Sequence, residues 1–311
     1  MKAVLLDAGQ PESCEPLTST RPLAACPVAN LPLAEAQRRE LIRAGFLPAP
    51  PEPGEPACYL RGDGWCPADA LQTLREQKAT ALLDSEGTAL AWVGTTPDGP
   101  EDRLAGPTPP DCFLIRYPWD LLRLHEALLQ RVTADSIQGV LSPAAHVAGH
   151  LVLGAESEIL PGVFIEGNVV VGRNVRIGPN TYLRGFTAVG DGCRIGHAVE
   201  IKNCIVMRDT HIAHLSYCGD SIIGERVNLG GGTIIANVRH DGRTHRSRVG
   251  RRLLETGRRK FGAVIGDDVH TGIHTSIYPG RKIWPHVSTR PGAVVADDLR
   301  EPAAAHHDQG R

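Results

Sequence analysis

Five residues of this sequence have the types and spacing to do chemistry together: Arg184, Lys202, His214, Tyr217 and Asn237. An imidazole titrating near neutrality can take a proton from an amine. A phenol and an amide can hold a substrate, and two cations can hold a phosphate through charge-assisted hydrogen bonds. This set suits acyl transfer from a thioester to an amine. Such transfer needs a base, donors for the oxygen that turns negative, and an anchor, but no metal and no covalent intermediate. Zinc is the competing use of histidine here. His240-x4-His245 and His270-x3-His274 have ligand-like spacing, but the first pair lies in an arginine-rich segment that repels a divalent cation. The position matching His197 and His214 on the next coil is Gly231. Three converging protein ligands are what such a site wants, so no catalytic metal is expected.

The elements that must position these residues are read from a repeat. From Val147 an aliphatic residue recurs every six positions, through Leu153, Ile159, Ile165, Val171, Ile177, Leu183, Val189, Ile195 and Ile201. The period survives two one-residue deletions through Val206, Ile212, Cys218, Ile223, Leu229 and Ile235. It resumes at Ile265, Thr271, Ile277, Ile283, Thr289 and Val295. A helix wants apolar spacings of three and four, and a half-buried strand wants alternation. A period of six means a short strand, one inward side chain and a turn tolerant of unusual backbone angles. Three units close a triangular coil, and successive coils stack as parallel strands about 4.8 Å apart. The spacing predicts a parallel β-helix of about seven coils, roughly 35 Å tall.

The same period assigns side chains to corners. Arg184 and Lys202 each follow the column Leu183, Ile201, Cys218, Ile235 by one residue, and Asn237 follows it by two. Tyr217 immediately precedes it. His214 lies on the face leading into this corner and shares a column with His197. One edge is therefore expected to gather all five. Two stacked cations oppose each other unless solvent or an anion intervenes, so Arg184 and Lys202 are expected to bind an anion.

The interruption at 236–264 is strongly basic. Between Arg239 and Lys260 stand eight arginines and one lysine against Asp241 and Glu255, a net +7, although the whole 311-residue chain carries -2. Local positive charge in an otherwise acidic chain suits a small polyanion better than nucleic acid. The composition, 41% hydrophobic and 22% charged, is that of a soluble protein. The apolar runs are too short to cross a bilayer, and Met1–Asp7 meets an acid too soon for a signal peptide. A cytoplasmic protein is expected. The eight cysteines form no CxxC pair and are expected to be buried thiols. Before the repeat, Pro118, Asp120 and the spacing of Leu121, Leu124, Leu128 and Val132 predict a helix over 118–134 packing on the first coils.

The runs Val199–Asn203, Ala213–Asp220 and Gly224–Asn237 resemble the acetyltransferase half of the bifunctional N-acetylglucosamine-1-phosphate uridylyltransferase/glucosamine-1-phosphate acetyltransferase. Gly257–Asp268 resembles more closely the archaeal-type sugar-1-phosphate nucleotidylyltransferase/acetyltransferases. The resemblance covers roughly 145–298 and implies left-handed coiling, a homotrimer with active sites between subunits, acetyl-CoA as donor and an amino-sugar 1-phosphate as acceptor. It implies His214 as the base, Arg184 and Lys202 around the sugar phosphate, and Tyr217, Asn228 and Asn237 at the acceptor. Gly272, Lys282 and Ala293 fall on later coils where the family lays the cofactor. The chain departs from the pattern at Val238, where the bacterial family has tyrosine. It departs again at Arg243 and Arg246, where the archaeal type has lysines; these two arginines are expected to contact substrate.

The first half resembles the start of sugar nucleotidyltransferases in Met1–Gly9, Leu17–Pro22, Pro27–Pro32 and the helical run Leu33–Ala44. That family's Gly-x-Gly-Thr-Arg loop is replaced by Gly9–Pro16, in which Pro11 removes an N–H and two glutamates repel a triphosphate. Only about 105 residues precede the Pro-rich Gly106–Pro110 break. The expected organisation is a truncated α/β domain over 1–106, a linker and helix over 107–144, the β-helix over 145–298 with the basic loop 236–264 inserted, and a flexible tail over 299–311. The function expected is N-acetylation of an amino-sugar 1-phosphate without nucleotidyl transfer. The alternatives are a non-catalytic scaffold and a hexapeptide acyltransferase with another acceptor.

Overall fold

The computed structural model describes residues 1–100 and 109–301. The opening of the Pro-rich break and the tail beyond 301 lie outside the described residues. The chain forms two compact units: Met1–Cys14, Arg21–Cys26 and Leu31–Asp120 make the first, while Glu15–Thr20, Pro27–Asn30 and the chain from Leu121 make the second. The division thus runs through the predicted helix, and two short early segments go with the coil.

In the first unit a mixed sheet has the order Leu47–Pro48, Lys2–Leu5, Ala57–Leu60, Ala89–Gly94, Ala81–Leu83. The first three strands are parallel and the last two antiparallel. Helices α1 (Leu33–Arg43) and α2 (Ala68–Arg75) cover it, burying Leu41, Leu71 and Leu74. The buried carboxylate of Glu40 on α1 accepts the Ala68 N–H at 2.8 Å, placing negative charge where the first turn of α2 has unpaired donors.

The second unit is a left-handed parallel β-helix, as expected. Its three faces are named here after the inward residues of one coil: Ile201, Val206 and Ile212. Each inward residue hydrogen-bonds in register with the next coil, and together they form one continuous core. Among the described residues the Val206 face has nine rungs, from Ile137 through Leu153, Val171, Val189, Val206, Ile223, Ile265 and Ile283 to Leu299. The coil therefore begins before Val147 and ends after Val295. Only four positions separate Ile137 from Leu141, which hides the first coil from a six-residue count. Corners turn through the left-handed backbone region: Ala198 and Leu215 (φ 52° and 50°) before the Ile201 face, Asn203 and Asp220 (φ 56° and 49°) after it. Glycine is needed where coils approach closely. A Cβ on Gly149 would lie 2.1 Å from the Gly167 oxygen.

The interruption leaves the coil after Asn237 and returns at Val264, which pairs beside Ile222. Within it Arg246–Val249 and Arg252–Glu255 form an antiparallel hairpin. Its root is fixed by buried His245, whose Nε2 meets the Asn237 oxygen at 3.0 Å. All eight cysteines are buried free thiols.

Helix α3 (Pro118–Leu129) is shorter than the predicted 118–134. The Asn168 side chain takes the carbonyls of Leu129 and Val132 at 2.7 and 3.0 Å, which caps the helix end early. His125 on this helix is fully buried. The Ala29 N–H donates to its Nδ1 at 3.1 Å, so the ring proton sits on Nε2, which donates to the Phe186 carbonyl at 3.0 Å. Burial lowers its pKa from 6.5 to about 4. The folded state then binds fewer protons below pH 6.5, so the contribution is complete above that pH and is lost as pH falls through 4. The shift corresponds to about 3 kcal/mol. Urea unfolding at pH 7 and pH 4 is expected to show His125→Leu losing less stability than wild type across this window, by about that amount. Equal losses would refute a neutral His125.

Candidate active site

The trailing corner of the Ile201 face carries a buried cluster. Arg184, Lys202 and Gly219 are register partners on consecutive coils. At the corner that follows, the side chain of Asp220 is only 3% exposed. Its carboxylate accepts Lys202 Nζ at 2.8 and 3.0 Å, Asn203 Nδ2 at 3.1 Å and Asn237 Nδ2 at 2.5 Å. The network continues from Asn203 to Glu126 of α3 at 2.6 Å, and from Glu126 to Arg258 at the end of the basic excursion. One coil from Lys202, Arg184 pairs with Glu200 at 2.6–2.8 Å.

Each cation has its own carboxylate within the chain. Opposite charge within the protein already offsets their repulsion. What Lys202 offers a ligand is a directed donor on a neutralised pair.

Tyr217 begins the strand Tyr217–Gly219, and its ring runs toward this corner. A Cβ on Gly219 would lie 2.5 Å from both the Tyr217 hydroxyl and Asn237 Nδ2, so the missing side chain leaves room for both. Burial, with the negative charges of Asp220 and Glu200, pushes the Tyr217 phenol up to about 12.

His214 stands elsewhere. It stacks in register with His197, but it ends the strand before the corner at Leu215. The strand Tyr217–Gly219, about 10 Å of chain, separates that corner from Asp220. The expected common ridge is thus two edges of one face, with Arg184, Lys202 and Asn237 on the trailing edge and His214 on the leading one. A six-residue count fixes the rung of a residue but leaves open which end of the strand it occupies. His214 is exposed, and its imidazole makes no hydrogen bond among the described residues. Gly231, one coil on, leaves it open, since a Cβ there would come within 3.6 Å of the His214 Cβ.

The other expected residues divide. Asn228 pairs with His211 and His270 on the Ile212 face, away from the cluster. Gly272 stacks over Gly230 on the His214 edge, where its own close approach to the Arg290–Pro291 backbone leaves no room for a Cβ. Ala293 lies at the same corner, its carbonyl accepting the Ser276 N–H at 2.8 Å. Lys282 departs from the expected cofactor surface: it is 1% exposed. It pairs beside Val264 in a column of the Val206 face whose members Ile222 and Val264 are buried too. Arg243 is exposed on the excursion, and Arg246 faces Glu255 across the hairpin at 3.8 Å. Neither joins the cluster. Asp220, Asn203, Glu126, Arg258 and Glu200 were not anticipated. Asp220 was within reach, because two residues past Ile201, Cys218 and Ile235 stand Asn203, Asp220 and Asn237.

Among the described residues no group of three His, Cys, Asp or Glu side chains is placed to hold a metal ion. No helix among them is long and apolar enough to cross a membrane. In the first unit the Gly9 N–H donates to Asp7 at 2.9 Å and the Cys14 N–H to the Pro11 oxygen at 3.0 Å.

Fold and repeat together define a hexapeptide-repeat protein of the left-handed β-helix class. Residues 165–292 match the family described as the GMPPB C-terminal domain. Over 185 residues the chain is 39% identical to the bifunctional sugar-1-phosphate nucleotidylyltransferase/acetyltransferase of Sulfurisphaera tokodaii, covering 60% of this chain and 46% of that protein. Over 187 residues it is 45% identical to the bifunctional protein GlmU of Methanococcus maripaludis strain C7, covering 60% and 45%. Among solved structures, the UDP-N-acetylglucosamine acyltransferase from Campylobacter jejuni aligns over 54% of this chain and 69% of its own, at 15% identity and a TM-score of 0.27. Within that class, the repeat half of this chain is similar to the corresponding part of these bifunctional proteins. The chain spans less than half the length of these curated relatives.

The cluster generates a direct test. Because the folded phenol of Tyr217 binds its proton more tightly than the unfolded one, its contribution to stability is complete below pH 10 and is lost as pH rises through 12. Absorbance titration of tyrosinate is expected to show a late step near pH 12 that disappears in Tyr217→Phe. A step for Tyr217 near its ordinary value would contradict the half-buried placement near Asp220.

Proposed function

We propose that the chain is an acetyl-CoA-dependent N-acetyltransferase acting on an amino-sugar 1-phosphate, either glucosamine 1-phosphate or galactosamine 1-phosphate. The observation that carries this reading is the 39% identity over 185 residues to a nucleotidylyltransferase/acetyltransferase, in a chain that also holds the Asp220 cluster and an exposed His214. The chemistry asked of these residues is modest. The amine nitrogen attacks the thioester carbonyl, the C–S bond breaks, and the proton leaving nitrogen passes through a base to the departing thiolate. The His214 imidazole is exposed and makes no hydrogen bond among the described residues, as suits a base awaiting an amine. Lys202 and Arg184 offer directed donors to the phosphate, and the Tyr217 hydroxyl and Asn237 amide lie beside them. Asn228, Arg243 and Arg246 stand outside the cluster, and a working unit of three chains with the site between subunits would bring such residues in. Acetyl-CoA is proposed to run along the His214 edge past Gly272 and Ala293, leaving out buried Lys282. No metal takes part. The first unit is proposed to carry out no nucleotidyl transfer, and a cytoplasmic setting follows from the substrates.

A non-catalytic scaffold is the second reading, favoured by the internal neutralisation of both cations. Thiol release from acetyl-CoA with each amino-sugar 1-phosphate separates the two, and release with neither supports the scaffold. His214→Ala is expected to lose at least about a hundredfold in kcat with an unchanged circular dichroism spectrum. Full activity in that variant would remove His214 as the base.

A further inference from the structure

The geometry points to Asp220 as a positioning residue that turns the Asn237 amide so that its oxygen faces the acceptor, which makes the site selective for amines over hydroxyls. This rests on the acetyl-transfer reading above. A carboxylate can only accept, so Asp220, 2.5 Å from Asn237, fixes the NH2 end toward itself. The opposite end, Oδ1, takes no hydrogen bond from any described residue. Neither partner is free to turn. The Asp220 N–H donates to the Lys202 oxygen at 2.8 Å, and its carbonyl accepts the Gly262 N–H at 2.9 Å. The Asn237 carbonyl is held by Phe261 N and His245 Nε2, both at 3.0 Å. Lys202 and Asn203 hold the carboxylate from its other sides, and Glu126 anchors Asn203 in turn.

The consequence follows from counting protons. A neutral primary amine brings two N–H groups. On attack the N–C bond forms and the C–S bond breaks. One proton goes through the base to the thiolate, giving free thiol, and the second N–H stays in the product amide. That second N–H needs an acceptor throughout, and Oδ1 supplies it. A hydroxyl nucleophile has a single proton, which the base removes. Nothing then remains for Oδ1, which faces an ester oxygen it cannot bond. A site built to receive a particular N–H rejects the analogue lacking it.

In Asp220→Asn the new amide can offer an NH2 to Asn237, which then reverses and presents its own NH2 to the acceptor. Steady-state rates with glucosamine 1-phosphate and glucose 1-phosphate read the outcome. The amine-to-hydroxyl ratio of kcat/KM is expected to fall about tenfold or more, with the KM for acetyl-CoA within about twofold of wild type. Asn237→Leu, which removes the acceptor without touching Asp220, is expected to lower the same ratio and serves if the first variant does not fold. An unchanged ratio in either folded variant would overturn the assignment.

A second readout does not need activity. In 15N-labelled wild type, the Asn237 side-chain protons, identified by their absence in Asn237→Leu, are expected to exchange slowly with solvent and to shift in Asp220→Asn. Exchange as fast as that of an exposed asparagine would refute the hold of Asp220. Slow exchange without any acetyl transfer by the wild type would instead defeat the acetyl-transfer reading, and the amine selectivity with it.

Discussion

The structure depends on the register between parallel coils. Each rung shares its N–H and C=O groups with both neighbouring rungs, so a single inward aliphatic residue every six positions fixes the height of every side chain on the outside. Backbone approaches this close are possible because glycine or a left-handed turn stands where a side chain would collide, as at Gly149. Two deletions of one residue narrow the coil at 201–206 and 218–223 without breaking the core. The corner they shorten is the one that holds Lys202, Asp220 and Asn237.

The chemistry of that corner is one of compensation. Lys202 is too enclosed to stand unpaired, since removing a partner from a buried ion pair costs several kcal/mol, on the order of 3–5. Asp220 supplies the balancing charge and at the same time orders two asparagine amides. Helix α3 enters through Glu126, so the helix, the coil and the root of the basic excursion meet on one connected set of hydrogen bonds. A ligand bound here would meet donors and acceptors whose directions are already set, which would lower the ordering cost of binding.

The repeat was legible because the inward residues of a triangular coil are constrained more tightly than those of most folds. The column Leu183, Ile201, Cys218, Ile235 could be read from the sequence, and it placed Arg184 over Lys202 correctly. The first coil was not, because the Ile137–Leu141 step breaks the period. The edge of His214 was missed for another reason: a count of six says which rung a residue occupies and nothing about which end of a three-residue strand it ends on. The neutralising partners were hidden because Glu200 and Asp220 belong to neighbouring rungs and corners, where pairing depends on side-chain reach. The burial of Lys282 had no sequence signal, since an outward lysine is covered only if some distant segment lies across its face.

The central claim is that an amino-sugar phosphate is bound at the Asp220 corner by donors already neutralised within the chain. A crystal structure with glucosamine 1-phosphate tests it most directly. The account predicts the phosphate within hydrogen-bonding distance of Lys202 Nζ or Arg184, with the Lys202–Asp220 pair intact and the amine facing Asn237 Oδ1. Ligand seated away from this corner, or a Lys202 that has left Asp220 to reach it, would contradict the account.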